Sequence, residues 1–174
     1  MNPHRQNPLF SACGLHCGLC PRYYTGGGSR CPGCGGENFA AVHPPCGVLS
    51  CSQRRGLEYC WQCEAYPCGR YDGADASDSF ITHFNQLRDN EKAKAMGAEA
   101  YQAEQDEKIA ILRHLLAKYN NGRQKSFYCA AVNLLELDDL KLVMEQLDGS
   151  NAAALLQAMA DRRGISLKLR KKQQ

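Results

Sequence analysis

The first 72 residues contain few aliphatic side chains. Between Cys13 and Asp72 the chain has six leucine, isoleucine, valine or methionine residues: Leu15, Leu19, Val42, Val48, Leu49 and Leu57. Ordering a backbone costs about 1–2 kcal/mol per residue, and so few aliphatic groups cannot offset that cost by burial. A purely hydrophobic core is therefore excluded for this segment, which needs another source of stability.

Long apolar runs are also absent. No stretch of the 174 residues approaches the roughly 20 apolar residues that span a bilayer, and Met1-Asn-Pro-His-Arg-Gln-Asn-Pro8 lacks the apolar segment of a secretory signal. The formal charge is only +3, too small an excess to favour nucleic acid or an anionic membrane. We therefore expect a cytoplasmic protein without membrane association, and nucleic-acid binding is disfavoured.

Cysteine, by contrast, is abundant. Ten of the eleven cysteines lie in the first 68 residues and are the candidate metal ligands: Cys13, Cys17, Cys20, Cys31, Cys34, Cys46, Cys51, Cys60, Cys63 and Cys68. Cytosolic thiols stay reduced, so this density favours metal or redox chemistry over disulfides. A structural zinc site supplies on the order of 10–16 kcal/mol. Residues 1–72 are thus predicted to form a cysteine-rich metal-binding module.

Three Cys-x-x-Cys pairs carry the strongest signal: Cys17/Cys20, Cys31/Cys34 and Cys60/Cys63. Two intervening residues let the chain turn so that both sulfurs face one ion, and two such pairs complete a tetrahedron. The middle pair, Cys31-Pro-Gly-Cys34-Gly-Gly, has the form of a zinc knuckle, with Gly35 expected to permit the tight turn. Zinc or a single iron would fit such a pair.

Ten sulfurs exceed the eight that two zinc ions need, so a third site, two spare cysteines or a bridging sulfur all stay open. One pairing puts two Cys-x-x-Cys pairs on one ion and the third pair with two more cysteines on another: Cys17, Cys20, Cys31 and Cys34, then Cys51, Cys60, Cys63 and either Cys46 or Cys68. Sequence order does not exclude an interleaved arrangement. His16 and His43 lie close to cysteines, but with ten thiols available an outer or solvated role is favoured for both.

The composition changes near residue 72, and residues 73–174 are predicted to form about five helices. Apolar residues recur there at helical spacing in four stripes: Phe80, Ile81, Phe84 and Leu87; Ile109, Leu112, Leu115, Leu116 and Tyr119; Phe127, Ala130, Val132, Leu134 and Leu135; Leu140, Val143, Met144 and Leu147. A last helix is expected over 152–163. The alternating segment 165–170 predicts a short strand or an extended arm.

The predicted fold class is therefore mainly α. An irregular, metal-stapled module of zinc knuckles (1–72) would be followed by a small helical bundle (73–174), packed on the module as one unit. Cys129 stands apart in the bundle, near a helix start that also carries Arg123 and Lys125. A reactive thiol is one interpretation of that position, but a buried small hydrophobe is favoured.

The cysteine pattern resembles a known family. Four stretches carry the likeness in order: Cys13-Gly-Leu-His-Cys17-Gly-Leu-Cys20, Cys31-Pro-Gly-Cys34, Cys46-x4-Cys51, and Gly56-Leu-Glu-Tyr-Cys60-Trp-Gln-Cys63-Glu-Ala-Tyr-Pro-Cys68. Together they resemble a cysteine-rich bacterial and archaeal family, domain of unknown function 3795, over roughly residues 12–72. The resemblance implies zinc binding and no defined activity, and its match to the helical part is weaker.

Three functions compete on this evidence. The favoured one is a structural or protein-interaction module that binds two or more zinc ions and a protein partner whose identity the sequence does not show. The alternative is an iron–sulfur or thiol-based redox protein, which would use the surplus cysteines. An enzyme is disfavoured, because no recognisable base or oxyanion-stabilising set accompanies the thiols.

Overall fold

The computed structural model describes residues 4–149 and 151–171. Over these residues the chain forms seven α-helices and no β-strand: α1 (Phe39–Val42), α2 (Gly47–Arg54), α3 (Gln86–Met96), α4 (Ala98–Lys118), α5 (Lys125–Leu134), α6 (Leu137–Glu145) and α7 (Ala152–Arg162). Four 3₁₀ turns precede them or lie between them: Cys17–Leu19, Gly27–Ser29, Cys60–Gln62 and Gly69–Tyr71. The prediction of a mainly α fold is confirmed, and α3 to α7 are the five helices of residues 73–174.

Helix α4 lies at the centre of the bundle. Its residues Ile109, Leu112 and Leu115 are buried, because spacings of three residues place them on one face of the helix. It packs against α3, α5 and α6. Gly97, with a φ of +87°, separates α3 from α4 and allows the sharp change of direction between the two helices.

Helix α5 is buried on nearly every side. Seven of its ten residues, Tyr128 to Leu134, are buried, which is typical of a helix that neighbours surround. Helix α7 covers it with Leu156 and Ala160, both fully buried, and ends at Gly164, whose φ is +66°. A glycine in the left-handed conformation is the usual end of a helix.

The cysteine-rich segment contributes a side chain to the same core. Leu19 is 1% exposed and packs among the residues of α4 and α5. The approach depends on its neighbour Gly18, because a Cβ there would lie 2.5 Å from Cδ1 of Ile109. The boundary at residue 72 stays a prediction, but this contact joins the two segments.

The prediction of a buried helical stripe at Phe80, Ile81, Phe84 and Leu87 is wrong. Residues 80–84 are not helical, and α3 begins only at Gln86. The carboxylate of Asp78 accepts hydrogen bonds from the backbone N–H of His83 and from the hydroxyl of Thr82. Such local bonds from side chain to backbone compete with helix formation. Ile81 alone of the four is buried, and the other three are exposed.

Residues 165–170 form the extended arm rather than a strand. Arg170 accepts a hydrogen bond at its carbonyl from the N–H of Asp78 (2.9 Å) and donates its own N–H to the Asp78 carboxylate (2.6 Å). Leu167 is buried in the bundle core. The arm is thus fastened to the start of the helical region through Asp78 and the carbonyl of Asp75.

Candidate metal centre

Four of the predicted metal ligands line a single cavity. Cys51, Cys60, Cys63 and Cys68 surround a space of about 40 Å³, together with Arg55, Arg70 and Tyr71 among others. We call these four cysteines the cavity group. Of the two candidates for the fourth ligand of this set, the structure places Cys68 at the cavity, and Cys46 is not among its lining residues.

Local structure accounts for the way the cavity group comes together. Cys51 lies on α2, while Cys60 begins a 3₁₀ turn in which the N–H of Cys63 donates to the Cys60 carbonyl (3.0 Å). A second 3₁₀ turn follows directly after Cys68. A tight turn between two cysteines is what the Cys-x-x-Cys spacing predicts.

Two arginines sit beside the cavity group. Arg55 Nη1 lies 3.5 Å from Sγ of Cys63. Partial desolvation raises the pKa of the Cys51 thiol, but hydrogen bonds from Arg55 and Arg70 and the charges of both guanidinium groups outweigh it and lower that pKa. Cationic neighbours favour the thiolate form, so this cavity is suited to negative sulfur.

A second set of cysteines lies deeper, and we call it the inner group: Cys13, Cys17, Cys34 and Cys46. Burial raises the pKa of Cys17 well above its ordinary value, and the neighbouring thiols of Cys34 and Cys13 raise it further. Burial also raises the pKa of Cys34 to about 11, against the opposing charge of Arg5, with Cys13 and Cys46 adding to the rise. Such mutual effects require thiols that lie close together.

Backbone geometry fixes Cys34 against Pro8, in the segment that precedes Cys13. Gly33 has a φ of +95°, and a Cβ there would lie 2.4 Å from the carbonyl oxygen of Pro8, so only glycine fits. The same carbonyl accepts the N–H of Cys34 (2.8 Å). Gly35 also has a positive φ, +67°, in line with the tight turn expected after the middle pair.

Cys20 and Cys31 are neighbours of each other, and Cys20 also lies beside Cys17 of the inner group. Burial raises the pKa of Cys20, and the Cys31 thiol adds to the rise. The first and middle Cys-x-x-Cys pairs therefore lie together, with Cys17 beside Cys34 and Cys20 beside Cys31. The pairing that puts all four on one ion stays a prediction. Cys129 lies near Cys20, and burial raises its pKa to about 12.

The cysteines are clustered, but they do not form a coordination shell. Across residues 4–149 and 151–171, no three His, Cys, Asp or Glu side chains converge closely enough to hold a metal ion. All eleven cysteines carry free thiols. The chemistry of the cavity group, four soft donors facing one cavity, nevertheless fits zinc or iron.

Helix α3 holds the backbone of the inner group. The side-chain amide of Asn90, 0% exposed, donates to the carbonyl oxygen of Cys13 (3.0 Å) and to the hydroxyl of Tyr71 (3.1 Å). The Tyr71 hydroxyl donates in turn to the same Cys13 carbonyl (3.3 Å). Because Tyr71 also lines the cavity, these bonds connect the two cysteine groups with the helical bundle.

A buried arginine joins two separate stretches of the cysteine-rich segment. Arg5 donates to the carbonyl oxygens of Phe10 and Glu58, each at 2.8 Å, and pairs with the Glu58 carboxylate at 3.0 Å. These hydrogen bonds and the ion pair offset the cost of burying a guanidinium group. Arg5 thus fixes the segment that precedes Cys13 against the segment that precedes Cys60.

The two histidines that lie near cysteines have other partners. Nε2 of His16 lies 3.0 Å from the Asp89 carboxylate and 3.0 Å from the Tyr101 hydroxyl, and Phe10 stacks on the ring. His43 Nδ1 contacts the carbonyl of Pro44. These contacts involve one ring nitrogen of each histidine, and the outer or solvated role expected for both residues stays a prediction.

Sequence reasoning missed the residues that position the thiols, namely Arg5, Asn90 and Tyr71. Arg5 is one of six arginines before residue 72, and Asn90 is one polar residue on an otherwise polar helix. Their contacts join positions 53 and 77 residues apart. No periodicity or motif marks such partners.

Comparison with known proteins gives one family. Residues 9–73 match the model of a family described as "Protein of unknown function (DUF3795)", the segment in which the resemblance was recognised. No curated protein and no solved structure matches the chain. Among the helices of the described residues, none is long and apolar enough to cross a membrane.

Proposed function

We propose, for a chain that belongs through residues 9–73 to the DUF3795 family, that its ten N-terminal cysteines bind two or more zinc ions. The metallated segment acts as a structural and protein-interaction module rather than as an enzyme. The observation that carries the proposal is the cavity lined by Cys51, Cys60, Cys63 and Cys68.

The cavity group supplies one complete ligand set. Four thiolates are the donor set of a closed structural zinc site. Arg55 and Arg70 would then offset part of the negative charge that four thiolates place around a divalent ion.

The inner group supplies the second set. Burial and neighbouring thiols raise the pKa of Cys13, Cys17 and Cys34, and Cys46 is one of those neighbours. Removing such thiol protons without a cation would leave several buried negative charges, which is costly, whereas a bound metal stabilises the deprotonated form. Cys20 and Cys31, which lie beside Cys17 and beside each other, would join this set or hold a further ion.

Zinc would also supply the stability that the segment lacks. Only Leu19 and Leu49 of its six aliphatic residues are counted among the buried core. Metal binding contributes directly to the folding free energy of small metal-stapled domains. Thiols held this way are expected to survive in the reducing cytoplasm, the location we propose for the protein.

The test is metal content in matched variants. In a Cys60→Ser/Cys63→Ser double variant the zinc content, measured by elemental analysis of protein purified without added metal, should fall by about one ion per chain. A Cys129→Ala variant should keep the wild-type content. Loss of no zinc from the double variant while the fold is retained would refute the assignment of the cavity group.

Iron is the second candidate, and the two arginines beside the cavity group are the observation that favours it. Positive side chains near thiolates also suit an anionic iron–sulfur cluster, whose potential depends on nearby charge and hydrogen bonds. Absorption in the visible range by anaerobically purified protein distinguishes the two, because zinc thiolates are colourless.

A further inference from the structure

A contiguous apolar surface lies on the helical region, outside the cysteine groups. Its three side chains are Phe80, Phe84 and Leu169, with 50%, 59% and 39% of their surfaces exposed. Phe80 and Leu169 line the same small cleft, and Phe84 contacts Arg170, the residue after Leu169. We call this surface the aromatic face.

The aromatic face is built by the same local structure that overturned the predicted helix. The Asp78 carboxylate binds residues 82–83 in a non-helical conformation and also binds the arm at Arg170. In this arrangement Phe80 and Phe84 are exposed to solvent. Single exposed apolar residues are ordinary, but a contiguous patch marks an interaction site. Keeping such a surface in water costs about 25 cal/mol per Å² relative to burial.

The surface is concave on one side. A cavity of about 190 Å³ lies against Phe84, and its walls include Thr82, Leu134, Ile165 and Lys168. A depression of this kind accepts a side chain from a partner, as the anchor pockets of protein interfaces do.

The net charge around the aromatic face is positive. Cζ of Arg22 lies 4.6 Å from the centre of the Phe80 ring, and Cζ of Arg170 lies 5.5 Å from the centre of the Phe84 ring. Lys168 lines the cavity beside Phe84. Asp78 is the one carboxylate among the residues that line either depression, and Arg170 neutralises it at 2.7 Å. In the described part of the chain, no carboxylate pairs with Arg22 or Lys168.

We propose that the aromatic face docks a short segment of a partner protein in which apolar side chains alternate with aspartate or glutamate. The apolar side chains would occupy the face and its cavity, and the carboxylates would meet Arg22 and Lys168. The proposal rests on the interaction role given above, but it uses none of the cysteines.

Two other occupants fit the surface less well. Single-stranded nucleic acid stacks its bases on free aromatic faces, whereas arginines already cover Phe80 and Phe84. A membrane surface would be met by protruding apolar groups, and the cavity beside Phe84 is a depression. A peptide satisfies both the concave shape and the positive charge.

The experiment is selection from a random peptide library displayed on phage, with the full chain as bait and its metal content recorded. Wild-type protein should enrich peptides that combine Phe, Leu, Trp or Met with Asp or Glu, and a Phe84→Ser/Leu169→Ser variant should not. A synthetic copy of a selected peptide should bind the Phe84→Ser and Lys168→Glu variants at least tenfold more weakly than it binds wild type. Its affinity for wild type should fall at high salt.

Matched controls are available on the same molecule. Leu142 is 47% exposed on α6, so Leu142→Ser removes a similar apolar surface elsewhere and should leave peptide binding unchanged. Lys118→Glu at the end of α4 makes the same charge change away from the face. Circular dichroism confirms that each variant is folded.

Several results would overturn the proposal. Equal enrichment by wild type and the double variant, enrichment of basic peptides, or tighter binding to phosphatidylserine vesicles or oligo-dT than to any selected peptide would each contradict it. Protein that is purified without zinc and binds the peptide would refute the zinc proposal and support this one. Protein that is purified with zinc and selects no peptide would support the zinc proposal and refute this one.

Discussion

The side-chain amide of Asn90, on helix α3, donates a hydrogen bond of 3.0 Å to the backbone carbonyl of Cys13. This bond ties the first cysteine of the inner group to the helical bundle, 77 residues further along the chain. Asn90 also donates a hydrogen bond to Tyr71, which lines the cavity. One buried residue therefore supports both groups of thiols.

An Asn90→Ala variant should therefore lose stability and bind metal less tightly. Removing a buried donor leaves the Cys13 carbonyl and the Tyr71 hydroxyl with fewer partners, which should cost about 2 kcal/mol. Urea unfolding of zinc-loaded protein measures the stability, and competition with a chelator measures the affinity. Lys94→Ala, on the exposed side of the same helix, should change neither. An Asn90→Ala protein as stable as wild type would contradict the role of this residue.

His16 should prove to be a structural residue and not a ligand. His16→Ala removes a buried ring that contacts Phe10, Asp89 and Tyr101, and the cavity and the lost hydrogen bonds should together cost about 2–4 kcal/mol. Zinc per chain should stay at the wild-type value in the folded variant. Loss of one zinc ion with the fold intact would instead identify His16 as a ligand.

Cys129 should be inert in the native protein. Burial raises its pKa to about 12, so at pH 8 its thiol is protonated and shielded from reagents. Iodoacetamide followed by peptide mass mapping should leave Cys129 unmodified in folded protein and label it in urea. Rapid labelling of folded protein would support the alternative of a reactive thiol.

The arm should detach at low pH. Burial opposes ionisation of Asp78, but its bonds with Arg170 and with the N–H of His83 outweigh that effect and hold its pKa below the ordinary value of 3.8. A depressed pKa in the folded state contributes stability above about pH 3.8 and loses it as the pH falls through the folded-state pKa.

The matched variant for this prediction is Asp78→Asn. At pH 7 it should be about 2 kcal/mol less stable than wild type, because it loses a charged acceptor for several hydrogen bonds. The difference, measured by chemical denaturation between pH 2 and pH 7, should shrink towards the acid end. A difference that stays constant with pH would show that the carboxylate charge does not hold the arm.

Helices with strong local patterns were predictable from the sequence. The stripe at Ile109, Leu112 and Leu115 gives α4, and the segment predicted over 152–163 agrees with α7 within one residue, because both helices bury one face and end near a glycine. The helix predicted at Phe80 and Phe84 was wrong, because the environment of these residues depends on the bond between Asp78 and Arg170, 92 residues apart.

The candidate site was predictable in composition but not in arrangement. Cys-x-x-Cys spacing indicates a turn, and 3₁₀ turns occur at Cys17–Leu19 and Cys60–Gln62. Spacing does not say which turns meet, because that depends on Gly33 packing against Pro8 and on α3 holding the Cys13 carbonyl.

The most direct measurement of the central claim is elemental analysis of anaerobically purified protein, combined with its visible absorption spectrum. The account predicts at least two zinc ions per chain and a colourless solution. Protein that folds to the same helical content without bound metal, or that carries iron with a visible charge-transfer band, would contradict it.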